Sequence, residues 1–226
     1  MAGIDLSLYA IVDPGVEREC AIEEFISLII EGGATCIQVR CKGASDVETL
    51  EFTLRVLEVA RPAAVPVIIN DNVETALTVW SEGVHLGAED MAVGEARGRV
   101  REVLGEVAGP TAAAAARDFI IGASARTLED ARRVAGEGAD YIGVGPVFST
   151  PIKPGVDPID PTLIRAIKRE ISLPIVAIGG INEKNAHVPM SHGADGVAVI
   201  SALRGTGSPR EAAGRLRAAV EKSREG

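Results

Sequence analysis

Several features are scarce in this 226-residue sequence, and each scarcity excludes a class of protein. It has three cysteines, with no C-x-x-C pair and no metal-ligand spacing, which excludes a disulfide scaffold and a cysteine-based zinc site. No apolar run is long enough to cross a bilayer, so no membrane partner is expected. A basic segment followed by a long apolar one is also missing at the start, so we expect no signal peptide and predict a cytoplasmic location.

Basic residues are outnumbered, with 23 Lys and Arg against 32 Asp and Glu and a formal net charge of -9. Proteins that bind nucleic acid usually carry a basic surface, so nucleic acid is not expected as a partner. Any functional cations must therefore be local. The hydrophobic fraction of 46% suffices for the core of one domain over residues 1–226. An alanine-rich insertion is predicted around residues 91–118, where "GPTAAAAARD" occurs.

Short strand-like runs alternate with amphipathic helix-like stretches along the whole chain. The helix-like stretches include "IEEFISLIIEGGA", "ETLEFTLRVLEVAR", "TLEDARRVAGEGAD" and "PTLIRAIKREI". Eight strands are predicted, at residues 8–13, 35–40, 65–70, 83–87, 119–124, 141–147, 174–180 and 196–201. Eight strand-and-crossover units predict an α/β fold of the (β/α)8 TIM-barrel type, and a doubly wound open sheet remains the alternative.

Polar or glycine residues follow the predicted strands at the end where barrel active sites form. On the second strand, alternation of side chains puts Gln38, Arg40 and Lys42 on one face. The other strand ends contribute Asn70, Asp71, Glu89, Asp90, Ser124, Thr150, Lys153, Gly179, Gly180, Ile200 and Ser201. We therefore predict a site at this rim.

Two carboxylates and three cations in this set suit a metal-bound diphosphate. Asp71 and Asp90 could hold Mg²⁺, which is typically bound by one or two carboxylates together with substrate phosphates. Arg40, Lys42 and Lys153 could neutralise a multiply charged phosphate group. The alternative for the two aspartates is that each caps the helix that follows it.

A second, independent phosphate site is predicted at the rim. The segments "AIGGIN" and "VISAL" follow the seventh and eighth strands, where backbone N–H groups and helix N-termini can bind a phosphate monoester. The glycine pair lets the backbone approach an anion closely, although such a pair can also simply end a strand.

The chain resembles the thiamine phosphate synthase family in "QVRCK", "IND", "GVHLGAED", "IGAS", "GVGPVFSTPIKPG" and "VAIGGI". The resemblance implies a transferase of thiamine biosynthesis. It would join hydroxymethylpyrimidine diphosphate to thiazole phosphate, giving thiamine phosphate and pyrophosphate by dissociative loss of the leaving group.

Residue roles are also implied by the resemblance. Magnesium would be held by Asp71 and Asp90. The pyrimidine diphosphate would be bound by Gln38, Val39, Arg40, Cys41, Lys42, Asn70, Ser124 and Lys153, of which Arg40, Lys42, Ser124 and Lys153 are interpreted as catalytic. The thiazole phosphate would be bound by Thr150, Pro151, Ile152, Gly180, Ile200 and Ser201.

Some residues depart from the family pattern, and some alternatives stay open. Ile152 stands where a hydroxyl residue is usual, and Arg126 where histidine is common. His85 is interpreted as a packed, hydrogen-bonded barrel residue rather than a catalyst. Alternative functions are a thiazole tautomerase, a sugar-phosphate epimerase or aldolase, and a non-catalytic binder of thiamine intermediates. The sequence leaves open a homo-oligomeric state and which loop closes the site, with "STPIKPG" favoured as the lid.

Overall fold

The computed structural model describes residues 4–108, 118–152, 155–205 and 207–224, without the side chains of residues 106–108. Eight strands follow one another in chain order. They are β1 (Leu8–Val12), β2 (Cys36–Val39), β3 (Val67–Asn70), β4 (Gly83–Leu86), β5 (Ile120–Ala125), β6 (Tyr141–Val144), β7 (Ile175–Ile178) and β8 (Gly196–Val199). The α-helices of the described ranges are α1 (Ile22–Glu31), α2 (Asp46–Ala60), α3 (Val73–Thr78), α4 (Val93–Ala108), α5 (Leu128–Gly136), α6 (Thr162–Glu170), α7 (His187–Ser191) and α8 (Pro209–Arg224).

The strands form a closed parallel barrel. Each strand pairs in parallel with the next one along the chain, and β8 pairs with β1 through Tyr9 and Ala198. This confirms the predicted (β/α)8 fold and excludes an open doubly wound sheet. Every predicted strand exists, and most are shorter than predicted because the chain leaves the pairing ladder at the rim, where it turns toward the following helix.

Side chains alternate between two apolar layers. Inside the barrel, Tyr9, Ile68, Tyr141 and Val176 belong to one buried cluster. Val39 belongs to the larger cluster that lies between the strands and the helices. Since successive strand residues face opposite sides, Gln38 points into the barrel while Val39 points away from it.

Local sequence signals set several helix starts. Ser45 accepts a hydrogen bond from the backbone N–H of Glu48, whose carboxylate accepts one from Ser45, so a capping box begins α2. Thr127 and Asp130 form the same arrangement at α5. Within residues 91–118, Val93–Ala108 is helix α4, and residues 109–117, which hold the alanine run, lie outside the described residues.

Among the described residues, no helix combines the length and the apolar character that crossing a bilayer demands.

Candidate active site

A cavity of about 260 Å³ opens at the carboxyl end of the barrel. Every strand contributes to its wall or rim, through the strand itself or the residues that directly follow it. Its lining includes Gln38, Arg40, Asn70, His85, Ser124, Tyr141, Thr150, Ile152, Gly180, Ile200 and Ser201. Most of these were predicted from sequence as site residues, whereas the predicted Lys42, Asp71 and Asp90 are not among the residues that line the cavity.

Strand β2 supplies the residues with which the diphosphate prediction began. Gln38 is buried in the cavity wall, and Arg40 lies at its rim. Among the described residues Arg40 forms no ion pair. Val39 packs under the helices, so a bound substrate could meet only its backbone. Cys41 faces away from the cavity and is half-buried, and burial together with the Asp13 carboxylate raises the pKa of its thiol to about 11.

The predicted metal ligands converge. Asp71 directly follows β3, and its carboxylate lies 3.3 Å from Nζ of Lys42. Burial and the neighbouring Asp90 carboxylate raise the pKa of Asp71 above its ordinary value, and Lys42 opposes that rise. Gly87 donates its backbone N–H to Asp90 Oδ2 over 2.7 Å, which fixes the orientation of that carboxylate. Two acidic groups that repel each other beside one lysine suit a divalent cation.

The alternative role of these aspartates as helix caps fails. Asn72 caps α3, accepting a hydrogen bond from the N–H of Thr75. Helix α4 begins at Val93, after Ala92, so Asp90 stands too early to cap it. Asp71 also has a left-handed backbone with φ of 66°, a conformation that costs free energy for a residue other than glycine. Neither carboxylate is explained by local helix structure.

A hydrogen-bonded chain of side chains crosses the floor of the cavity. Nε2 of Gln38 donates to the Tyr9 hydroxyl over 3.0 Å, and this hydroxyl lies 2.8 Å from that of Tyr141. The Tyr141 hydroxyl lies 3.0 Å from Nδ1 of His85, whose Nε2 lies 3.0 Å from Oγ of Ser124. His85 is therefore hydrogen-bonded in the barrel, as predicted, but it also lines the cavity beside a predicted catalytic residue.

The opposite part of the rim is built from backbone. Gly179 and Gly180 have φ of 102° and 63° after β7. A Cβ on Gly180 would lie 2.6 Å from the carbonyl oxygen of Ser149, so only glycine fits there. Asn185 donates its side-chain amide to the Gly180 carbonyl over 2.9 Å and so holds this loop in place.

Three predicted thiazole residues and Lys153, predicted for the diphosphate, come from the segment after β6 and have different placements. Thr150 and Ile152 line the cavity, and the N–H of Ile152 donates to the Thr150 hydroxyl. Pro151 is exposed and does not line it. Lys153 lies outside the described residues. The segment after β8 is a short 3-10 turn, Ser201–Leu203, so no α-helix begins there as the sequence interpretation suggested.

Sequence reasoning missed the two tyrosines of the cavity floor. Tyr9 and Tyr141 are the only tyrosines of the chain, and both are essentially fully buried inside the barrel. The sequence does place each tyrosine in an otherwise aliphatic strand. Because a buried phenol needs a hydrogen-bond partner, this pattern could have predicted a polar contact inside the barrel.

A larger and more open cleft of about 740 Å³ lies on the outer side of Arg40, between the segment after β1 and α2. Its charged groups largely neutralise one another. Arg55 lies 2.5 Å from Glu17, and Arg204 lies 3.0 Å from Asp13. The Asp13 side chain also accepts a hydrogen bond from the backbone N–H of Gly15. The central cavity, with the uncompensated Arg40, is the better site for an anionic substrate.

Comparisons with known proteins agree with this geometry. The family model described as thiamine monophosphate synthase matches residues 8–203. A thiamine-phosphate synthase of Chloroflexus aurantiacus is 40% identical over 98% of this chain and 96% of its own length. One from Caldanaerobacter subterraneus is 41% identical over 90% and 88%.

A solved structure gives the same result. The thiamine phosphate pyrophosphorylase from Pyrococcus furiosus superposes with a TM-score of 0.80 and 36% identity, covering 97% of this chain and 98% of that one. The chain belongs to the thiamine monophosphate synthase family, whose members are transferases that condense the pyrimidine diphosphate with the thiazole phosphate in thiamine biosynthesis.

Proposed function

We propose that this chain carries out the condensation with Mg²⁺ held by Asp71 and Asp90, and that pyrophosphate leaves before the new bond forms. The observation that carries the proposal is the convergence of two carboxylates and Lys42 at the ends of β2, β3 and β4. Burial and mutual repulsion make the carboxylate pair costly without a cation, and a bound Mg²⁺ would relieve that cost. A cytoplasmic location stays a prediction.

The diphosphate would lie between the carboxylate pair and the cations of β2. Mg²⁺ supplies Lewis-acid neutralisation of the charge that builds on the leaving pyrophosphate. Arg40 and Lys42 would add hydrogen bonds to the same phosphate oxygens, and Lys153, assigned from sequence, would be a third cation. The C–O bond breaks with its electron pair going to pyrophosphate, which leaves a cation on the methylene carbon of the pyrimidine.

The thiazole phosphate would occupy the glycine side of the rim. Backbone of Gly180 and the segment from Ile200 to Ser201 would face the phosphate, and Thr150 and Ile152 would contact the same ligand. Held in this way, the thiazole nitrogen donates its electron pair to the methylene carbon and forms the C–N bond. Catalysis would come from positioning and electrostatics, without an enzyme nucleophile.

A turnover assay with a metal titration tests the proposal. Purified protein is mixed with both substrates, and thiamine phosphate and pyrophosphate are followed with Mg²⁺ and with EDTA. We expect both products to form only with metal. Asp90→Asn should raise the Mg²⁺ concentration that gives half-maximal rate by about tenfold or more. Glu89→Gln removes the same charge one residue away, from an exposed side chain, and should leave that concentration unchanged.

Three results would contradict the proposal. Full turnover in EDTA would show that the reaction needs no metal ion. Equal effects of Asp90→Asn and Glu89→Gln would show that general charge, and not a ligand position, sets the metal requirement. Binding of both substrates without any product would favour the non-catalytic alternative.

A further inference from the structure

The hydrogen-bonded chain on the cavity floor joins five strands and has a definite order. Gln38, Tyr9 and Tyr141 are buried, whereas His85 and Ser124 are half-buried nearer the cavity mouth. The chain therefore runs from the closed interior of the barrel to a hydroxyl that a substrate can reach. In such a chain, the group that donates the first hydrogen bond determines which group donates each of the following ones, without any atom moving far.

The direction follows from counting protons. The Gln38 amide donates to the Tyr9 oxygen, and a phenol has one proton to give onward. The Tyr9 proton then points to the Tyr141 oxygen, 2.8 Å away, and the Tyr141 proton points to Nδ1 of His85. The thiol of Cys36 also lies beside the Tyr9 hydroxyl, but sulfur is a weak acceptor and competes poorly with a phenol oxygen.

Burial keeps both phenols in the protonated form that this order requires. It raises the pKa of Tyr9 and of Tyr141 well above the ordinary tyrosine value of 10.0. Each hydroxyl therefore keeps its proton, and remains a donor, at every pH below its raised pKa.

Two glycines show that the barrel is shaped around this chain. A Cβ on Gly122 of β5 would lie 2.0 Å from the Tyr141 ring, and a Cβ on Gly143 of β6 would lie 2.9 Å from Cε1 of His85. The two rings stack with centroids 5.5 Å apart. Neither glycine has a positive φ, so their absent side chains, rather than backbone freedom, are what these positions need.

We propose that Tyr141 fixes His85 as the neutral tautomer with its proton on Nε2, and that this makes Ser124 a hydrogen-bond donor to the substrate. Nε2–H donates to the Ser124 oxygen, which leaves the serine proton directed into the cavity. Tyr141 and His85 are positioning residues that act through Ser124. Resting on the proposed function, the assignment implies that Ser124 meets an acceptor atom of the pyrimidine diphosphate.

Nitrogen-15 NMR of histidine-labelled protein tests the tautomer without substrate. The chain has three histidines, and His85→Gln identifies the signals of His85. At pH 8, where an ordinary imidazole is neutral, we expect a protonated Nε2 and an unprotonated Nδ1 shielded by an accepted hydrogen bond. Tyr141→Phe should move the Nδ1 signal to the higher chemical shift of an imine nitrogen without that bond.

Tyr9→Phe is the matched control, because it removes an equally buried hydroxyl but leaves the Tyr141 donor to His85 in place. It should change the Nδ1 signal much less than Tyr141→Phe does. A proton on Nδ1 in the unaltered protein would overturn the proposal, and this measurement needs no variant of the buried tyrosines to fold. Equal changes in Tyr9→Phe and Tyr141→Phe would overturn it too.

Kinetics supply a second readout. Glutamine at position 85 can place an amide N–H near the position of Nε2, whereas asparagine is too short to do so. We expect His85→Gln to keep kcat/KM for the pyrimidine diphosphate about tenfold higher than His85→Asn does. Equal losses would show that His85 only fills space. Because the NMR result needs no turnover, failure of this inference and failure of the proposed condensation can be told apart.

Discussion

The two sides of the cavity rim, each proposed to bind a phosphate group, are built by different means. At the ends of β2, β3 and β4, charged side chains converge, with Lys42 3.3 Å from Asp71. At the ends of β7 and β8, the chain offers glycine backbone, with Gly179 and Gly180 both in the left-handed region. The first side, here called the charged rim, can respond to a change of charge during a reaction. The second, the glycine rim, can only present a fixed shape.

This difference fits the two ligands. The diphosphate gains negative charge as it leaves, so in the proposed arrangement the cations and a metal would stabilise its transition state more than its ground state. The thiazole phosphate keeps its charge, so in the proposed arrangement uniform binding by a rigid loop would suffice to hold it. Substitutions at the charged rim should therefore lower kcat. Substitutions at the glycine rim should weaken the binding of thiazole phosphate.

The largest effect is expected at the charged rim. Lys42→Ala and Asp71→Ala should each lower kcat by about 100-fold or more, because each removes charge neutralisation needed in the transition state. The KM for thiazole phosphate should change little. Steady-state kinetics with each substrate varied in turn measures both quantities, with Lys222→Ala on the exposed end of α8 as the control. An unchanged kcat with a raised KM for thiazole phosphate would contradict the assignment of the charged rim to the leaving diphosphate.

The next effect is expected at the glycine rim. In Gly180→Ala the new Cβ would lie 2.6 Å from the Ser149 carbonyl oxygen, so the loop must shift and KM for thiazole phosphate should rise about tenfold. Gly205→Ala is a matched control, with nearly the same φ of 64° but no atom within 4 Å of the added Cβ. It should cost stability, about 1 kcal/mol, and leave KM unchanged. Equal KM values for the two variants would attribute the effect to backbone strain alone.

A smaller effect concerns stability of the metal-free protein. Since folding raises the pKa of Asp71, the folded state is penalised as pH rises above the ordinary value of 3.8 and through the raised value. Asp71→Asn should remove that penalty while it abolishes most activity. Because the carboxylate is partly exposed, solvent screens it, and we expect Tm in EDTA to rise by only about 1–2 °C at pH 8.

The pH dependence separates charge from backbone conformation. Asparagine also tolerates the left-handed backbone at position 71, a gain that is independent of pH. The rise in Tm should therefore be smaller at pH 4.5 than at pH 8. A gain that is the same at both values, followed by differential scanning calorimetry, would assign the whole effect to the backbone.

The sequence predicted the fold and the charged rim for a clear physical reason. In a parallel barrel all strands end at one rim, so polar residues such as Arg40, Asp71 and Ser124, each at the carboxyl end of a strand, must share that rim. The alternation of side chains along a strand correctly predicted that Gln38 and Val39 face opposite sides of β2. Reasoning of this kind needs only the position of a residue within its own strand, which periodicity supplies.

Contacts within the floor of the barrel were beyond such reasoning. The Tyr9 and Tyr141 hydroxyls meet because barrel closure brings distant strands within one side-chain length of each other, and which layer a residue occupies depends on strand stagger. His85 was judged by its own segment, "GVHLG", and its contact with Ser124 on the next strand was not foreseen. The same limit applied to the tautomerase alternative, which would need a protonatable group near β5. The sequence of β5 itself offers no histidine, but the fold brings His85 of β4 into contact with Ser124 of β5.

The smallest effect is expected at Ile152, the residue of the glycine rim that departs from the family pattern. Its side chain lines the cavity but offers no hydrogen bond. In the proposed binding mode, the backbone alone would therefore serve the thiazole phosphate at this point. Ile152→Thr should lower KM for thiazole phosphate about threefold with kcat unchanged, as one added neutral hydrogen bond would. Ile152→Val has the same shape as threonine without the hydroxyl, and it should leave KM as it is. If Val and Thr lower KM equally, the gain comes from relief of crowding, and the glycine rim recognises its ligand by shape alone.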